Sequence, residues 1–108
     1  MNEDQIIGAL GALAQETRLR ILRYLVTKGS DGAPAGEIGE AVSAASSRAS
    51  FHLSTLSNAG LVTAERKSRQ IIYRVDFQAM GGMIGYLIKD CCNNHQDVVA
   101  CCQIPGKC

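Results

Sequence analysis

Two vicinal pairs of thiols stand in the stretch CCNNHQDVVACC, residues 91–102, and a fifth cysteine, Cys108, follows. The first ninety residues contain none. Thiolates are soft ligands, so a cluster of them can select a soft ion. Paired thiols can also close into disulfides, and a cysteine-bearing tail can equally lie in solvent with no task. The spacing argues against a fold-stapling framework, because five is an odd number and such a framework spreads its cysteines along the chain. The N-terminus, MNEDQIIGAL, is acidic where a secretory leader would be basic. That predicts a cytoplasmic protein, in a compartment that keeps thiols reduced. If the cluster does hold an ion, Cys91, Cys92, Cys101 and Cys102 are its candidate ligands, and Cys108 reads as a spare. His95 reads as a solvated side chain and Asp90 as a helix-surface acid.

The elements that must carry these residues follow from periodicity. Ile6, Ile7, Leu10 and Leu13 predict a helix over residues 4–14, with Asp4 near the positive end of its dipole. A second helix begins near Thr17. Leu19, Ile21, Leu22 and Leu25 form its apolar face, and Arg18, Arg20 and Arg23 lie mostly off that face. KGSDGAPAG, residues 28–36, is a loop by its Gly and Pro content. A short helix through Ile38 to Val42 follows, and SAASS supplies capping hydroxyls. The next helix spans about Ser47 to Asn58, with Ala49, Leu53 and Leu56 inward and Gly60 at its end.

From Leu61 the period drops to that of strands. LVTAERKSRQIIYRV reads as a hairpin around a polar, basic tip. After Asp76 the period is helical again, with Met80, Ile84, Leu87 and Cys91 on one stripe and Met83 and Ile88 beside it. Asn93 and Asn94 mark its end. The order predicts a mainly α fold with a small β-hairpin, a winged helix-turn-helix. Residues 1–92 are expected to form that domain, and residues 93–108 a flexible Cys-rich tail.

At 108 residues the chain is one domain, small enough for an oligomer interface to help it. No run reaches the roughly eighteen apolar residues of a membrane span. The net charge is +1, but residues 46–75 hold Arg48, Arg66, Lys67, Arg69 and Arg74 against one acid, Glu65. A local basic stripe points to an anionic polymer. A thiol enzyme would need an activated thiolate in an oxyanion loop, and neither a Cys-x5-Arg loop nor a CxxC occurs. No enzymatic activity is expected.

ALAQETRLRILRYL and SSRASFHLSTLSNAGLVTAERKSRQIIYRV together resemble the ArsR/SmtB family of metal-responsive repressors over about residues 10–76. Ser68 stands where the family often has Gly, and Phe51 replaces a common second His. The resemblance implies a recognition helix in the major groove and a wing on the backbone. Ser46, Ser47, Arg48, Ser50 and His52 are then expected to face outward, Arg48 as the guanine reader and the serines toward phosphate. Lys67 and Arg69 are expected as backbone contacts of the wing. The implied partner is a double-stranded operator with an inverted repeat, bound by a homodimer through its first and last helices.

The family's cysteine pair on the first helix of the helix-turn-helix has no counterpart in APAGEIGEAV, and the oxygen–nitrogen zinc site has no matching residues. KDCC, with Cys101 and Cys102 beyond, resembles the arsenic-responsive members that carry a vicinal pair at the end of the last helix. The resemblance implies trivalent arsenic or antimony as inducer, held by Cys91, Cys92 and either Cys101 or Cys102. An organoarsenical would need only two thiolates. Zinc, cadmium or lead at four thiolates, and thiol oxidation, stay open beside it. On a regular helix neighbours point about 100° apart, so both sulfurs are expected to meet one ion only where the helix frays.

Overall fold

The computed structural model describes residues 1–103, the last two by backbone alone. Helix α1 (Glu3–Leu13) starts in a capping box: Gln5 N–H donates to the Asn2 side chain, and Asn2 N–H donates to the Gln5 side chain, each at 2.8 Å. Helix α2 (Glu16–Lys28) is capped by Gln15, whose side chain accepts from Arg18 N–H. A two-residue strand β1 (Ala33–Pro34) leads into α3 (Ala35–Ala41), and α4 (Ser46–Asn58) follows across a short turn. Strands β2 (Val62–Lys67) and β3 (Gln70–Val75) form the hairpin, and α5 (Phe77–Tyr86) closes the domain.

The sheet order is β1-β3-β2, with both pairs antiparallel. Val62 pairs with Val75 at the base of the wing and Lys67 with Gln70 at its tip. β1 was not foreseen, since two residues show no period, but it fastens the α2–α3 connection to the wing. Gly32 makes that possible. Its φ of +65° suits glycine, and a Cβ there would lie 2.5 Å from the Tyr73 carbonyl oxygen.

The core is filled by Ile21 and Leu25 from α2, Ile38 from α3, Leu53 and Leu56 from α4, and Leu61 before β2. Burying each such side chain contributes roughly 1.5–3 kcal/mol. α1 adds Ile6, Ala9 and Ala12, and α5 adds Met83. Two stripes turn out otherwise than expected. Leu19, placed on the apolar face of α2, is exposed, and Ile84 rather than Met83 is the exposed member of α5. Ile7 and Leu10 on α1 and Phe77 on α5 are exposed as well. Both helices thus carry a second apolar face that the folded chain leaves uncovered.

Beyond α5 the helix does not fray. It widens into a π-helical turn, Leu87–Cys91, closed by Cys92 N–H to the Leu87 carbonyl at 2.9 Å. Asn93 and Asn94 then take left-handed φ values of 52° and 54° and reverse the chain, as Asn tolerates better than most residues. The expected flexible tail contains a further helix, α6 (Gln96–Gln103). No helix among the described residues is long and apolar enough to cross a membrane.

Candidate nucleic-acid interface

Ala49, His52, Leu53 and Leu56 are the buried residues of α4. At about 100° per residue they occupy one side, and the opposite side is centred on Ser47, Phe51, Ser54 and Asn58. All four are exposed. Ser46 and Arg48 are exposed at the start of the helix, as expected, and Ser50 is half-buried on its flank.

His52 corrects the sequence expectation. It is only 7% exposed and points inward. Position 52 lies three residues after Ala49 and four before Leu56, so the helical period places it among the core residues. Its Nδ1 stands 3.3 Å from a terminal nitrogen of Arg18, and the Arg18 Nε donates to the Ala12 carbonyl at 2.5 Å. Burial first, then the positive charges of Arg18 and Arg48, hold the imidazole below its ordinary range. One guanidinium therefore joins the end of α1 to the buried side of α4.

The helix-turn-helix is closed by close backbone approach. Ala44 N–H donates to the Gly39 carbonyl at 2.8 Å, and a Cβ on Gly39 would lie 2.7 Å from the Ala44 oxygen. From the other side, the Tyr24 hydroxyl donates to Glu37, and Lys28 pairs with the same carboxylate at 3.1 Å. The Tyr24 hydrogen bond and then the Lys28 contacts hold the Glu37 carboxyl below its usual range. These contacts set α3 against α2 and so aim α4.

In the wing, Lys67 and Arg69 are exposed at the tip, with Arg66 beside them. Ser68 has φ 55°, the left-handed conformation that glycine adopts at no steric cost. Lys67 stands 4.0 Å from Glu65, a contact that leaves its ammonium in water. Arg74 is committed elsewhere: it pairs with Glu65 at 2.8 Å, and its Nε donates to the Ser30 carbonyl at 2.7 Å. The free cationic edge is thus the hairpin tip, and Arg74 anchors the hairpin to the domain.

Of the candidate ligands, Cys91 is exposed and Cys92 half-buried at the end of the π turn. Their thiols interact: a hydrogen bond with Cys91, then burial and the neighbouring thiolate charge, push the Cys92 thiol up. Cys101 is exposed on α6. The Cys102 side chain and the whole of Cys108 lie outside the described residues. Among the described residues no group of three or more His, Cys, Asp or Glu stands where it could hold a metal. His95 is engaged locally, its Nδ1 accepting from Asp97 N–H at 3.2 Å.

Residues 13–65 match a family model described as a helix-turn-helix domain. The HTH-type transcriptional regulator YgaV of Escherichia coli (strain K12) is 31% identical over 84 residues, 78% of this chain and 83% of that protein. Among solved structures, a possible transcriptional regulator for arsenical resistance is 28% identical with a TM-score of 0.68, covering 85% of this chain and 93% of that one. The homodimeric winged helix-turn-helix domain of Mb0332 from Mycobacterium bovis, a possible ArsR-family regulator, is 28% identical with a TM-score of 0.64, covering 85% and 82%. The chain belongs to the ArsR/SmtB-like winged helix-turn-helix regulators. As a member of that family it is a transcriptional regulator, a non-enzymatic role, with α4 as recognition helix and the β2–β3 hairpin as wing. The exposed face of α4 also includes Ser54, which sequence reasoning passed over, and Phe51, which it noted only as replacing a common second His. The signal was present: both lie at helical spacing from Ser47, opposite Ala49, Leu53 and Leu56.

Proposed function

We propose that this regulator is a homodimeric repressor, acting in the cytoplasm, that releases an inverted-repeat operator when trivalent arsenic or antimony is bound by its C-terminal thiolates. The observation that carries the inducer reading is the wide turn at the end of α5, where two free thiols stand on consecutive residues, Cys91 and Cys92. A π turn brings successive side chains closer in azimuth than an α-helix does, so both sulfurs can address one centre. The similar protein of known structure named for arsenical resistance supports the same reading.

The donor set fits a soft ion. Cys91 and Cys92 would hold it, with Cys101 or Cys102 as the third thiolate, and such an ion supplies three sulfur bonds that no hydrogen bond could replace. Joining the α6 thiols to the π turn draws the tail against the end of α5. Because α5 carries an uncovered apolar face, a shift of its end changes how two copies pack. Arg18 passes that change on, since it grips the end of α1 and the buried ring of α4 together.

On the DNA side, the dimer would place two α4 helices in successive major grooves, roughly 34–36 Å apart. Arg48 would offer two parallel donors to a guanine, Ser46, Ser47 and Ser50 would meet phosphates or base edges, and Lys67 and Arg69 would contact the backbone. Allosteric coupling is typically about 1–3 kcal/mol, and about 5.5 kcal/mol swings a population from nearly all bound to nearly all free.

The test is operator binding by fluorescence anisotropy, titrated separately with arsenite, antimonite, cadmium, lead, zinc and peroxide. Cys91→Ser and Cys92→Ser are expected to bind operator normally and to ignore arsenite. Normal release of either variant by arsenite would overturn the site. Release of the wild type by cadmium, lead, zinc or peroxide alone would replace the inducer with a different soft metal or with thiol oxidation.

A further inference from the structure

Phe51 is 64% exposed, the most exposed of the large apolar side chains among the described residues, and it sits at the centre of the outward face of α4. One turn before it on that face is Ser47, and three residues after it is Ser54. Among the described residues the one aromatic contact of Phe51 is an edge-type approach to the His52 ring, at a centroid distance of 5.5 Å and an angle of 61°. His52 is itself buried and held by Arg18. The phenyl ring is therefore braced from behind and presented forward. A helix that turns this face to a major groove presents a fixed apolar surface among hydroxyls and one guanidinium.

The major groove contains one apolar group, the C5-methyl of thymine. We infer that Phe51 is a specificity-determining residue that reads a thymine methyl in each half-site. The inference rests on α4 being the recognition helix of a DNA-binding dimer. Arg48, three residues earlier, lies to one side of Phe51 on the same helix. A half-site with a guanine near a thymine is thus the sequence that satisfies both side chains. Nothing else in the outward stripe discriminates A·T from T·A through an apolar contact, since Ser47, Ser54 and Asn58 offer only hydrogen bonds.

The experiment uses the full chain and an operator selected from a random duplex pool. Each thymine of a half-site is replaced in turn by deoxyuridine, which lacks only the methyl, and affinity is read by anisotropy at fixed salt. One replacement per half-site is expected to weaken the wild type about three- to tenfold, the scale of one buried methyl. Phe51→Ala should bind the parent operator about as weakly and be indifferent to that replacement. Phe51→Leu, which keeps an apolar surface, should retain part of the sensitivity. The thermal midpoints of both variants are measured alongside, and an exposed position is expected to leave them within the wild-type range.

A selected operator with no preferred thymine would overturn the assignment. So would deoxyuridine effects below about twofold at every position, or Phe51→Ala responding to the critical replacement as the wild type does. Failure of the underlying reading looks different: no duplex is enriched, and no binding weakens with salt.

Discussion

At His52 a guanidinium, which can only donate, faces Nδ1 at 3.3 Å, so that nitrogen must accept and the proton must sit on Nε2. The folded chain therefore resists a second proton on this ring, whose pKa lies below the ordinary 6.5. A depressed pKa contributes stability above 6.5 that is lost as the pH falls through the folded value, because the unfolded chain takes up the proton first. Urea denaturation is expected to show lower stability at pH 5 than at pH 7, and His52→Gln, which keeps an acceptor for Arg18, should show a smaller difference. His52→Ala should cost about 1–3 kcal/mol at pH 7, since it opens a void and removes the partner of a half-buried guanidinium donor. The error of placing His52 on the outward, DNA-facing side came from giving weight to residue type over register. Ala49, Leu53 and Leu56 were correctly assigned inward from spacing alone, and the same spacing places His52 with them. Arg48, Ser46 and Ser47 were legible because they lie off the side of the first turn that Ala49 buries.

At the scale of elements, the positions of α3 and β1 depend on two glycines for different reasons. Gly39→Ala would force a Cβ to within 2.7 Å of a backbone oxygen across the helix-turn-helix, and Gly32→Ala would combine a positive φ with a 2.5 Å clash against β3. Each is expected to destabilise the domain by about 1–3 kcal/mol, read from urea or thermal unfolding. Gly39→Ala should also weaken operator binding at temperatures where the protein is still folded, because the shift it imposes tilts α4. The order of long elements was legible, since ten or more residues of a steady period outweigh local exceptions. Three short features were not. Two residues of β1 carry no period, the π turn differs from an α turn only in its hydrogen bonds, and α6 lies in a segment whose polar HQD start reads as loop.

For the whole molecule, the exposed apolar residues of α1 and α5 matter more than the net charge of +1. Ile7 and Leu10 from one helix and Phe77 and Ile84 from the other leave a hydrophobic surface that a second copy would cover. Ile7→Glu together with Ile84→Glu is expected to halve the mass seen by sedimentation while far-ultraviolet circular dichroism is retained. Operator affinity should then fall by about tenfold or more, since two half-sites are no longer engaged as one. A dimer that stayed intact in this variant would locate the interface elsewhere.

The division of α4 into two stripes has a practical corollary for re-engineering. Residues 49, 52, 53 and 56 hold the helix in place, and residues 47, 48, 51, 54 and 58 meet whatever lies in front of it. Grafting only the second group from a relative with a different target should transplant its preference into an undisturbed scaffold. A chimaera that exchanged the first group too would have to bring along a counterpart for Arg18, 34 positions upstream of His52 and on another helix.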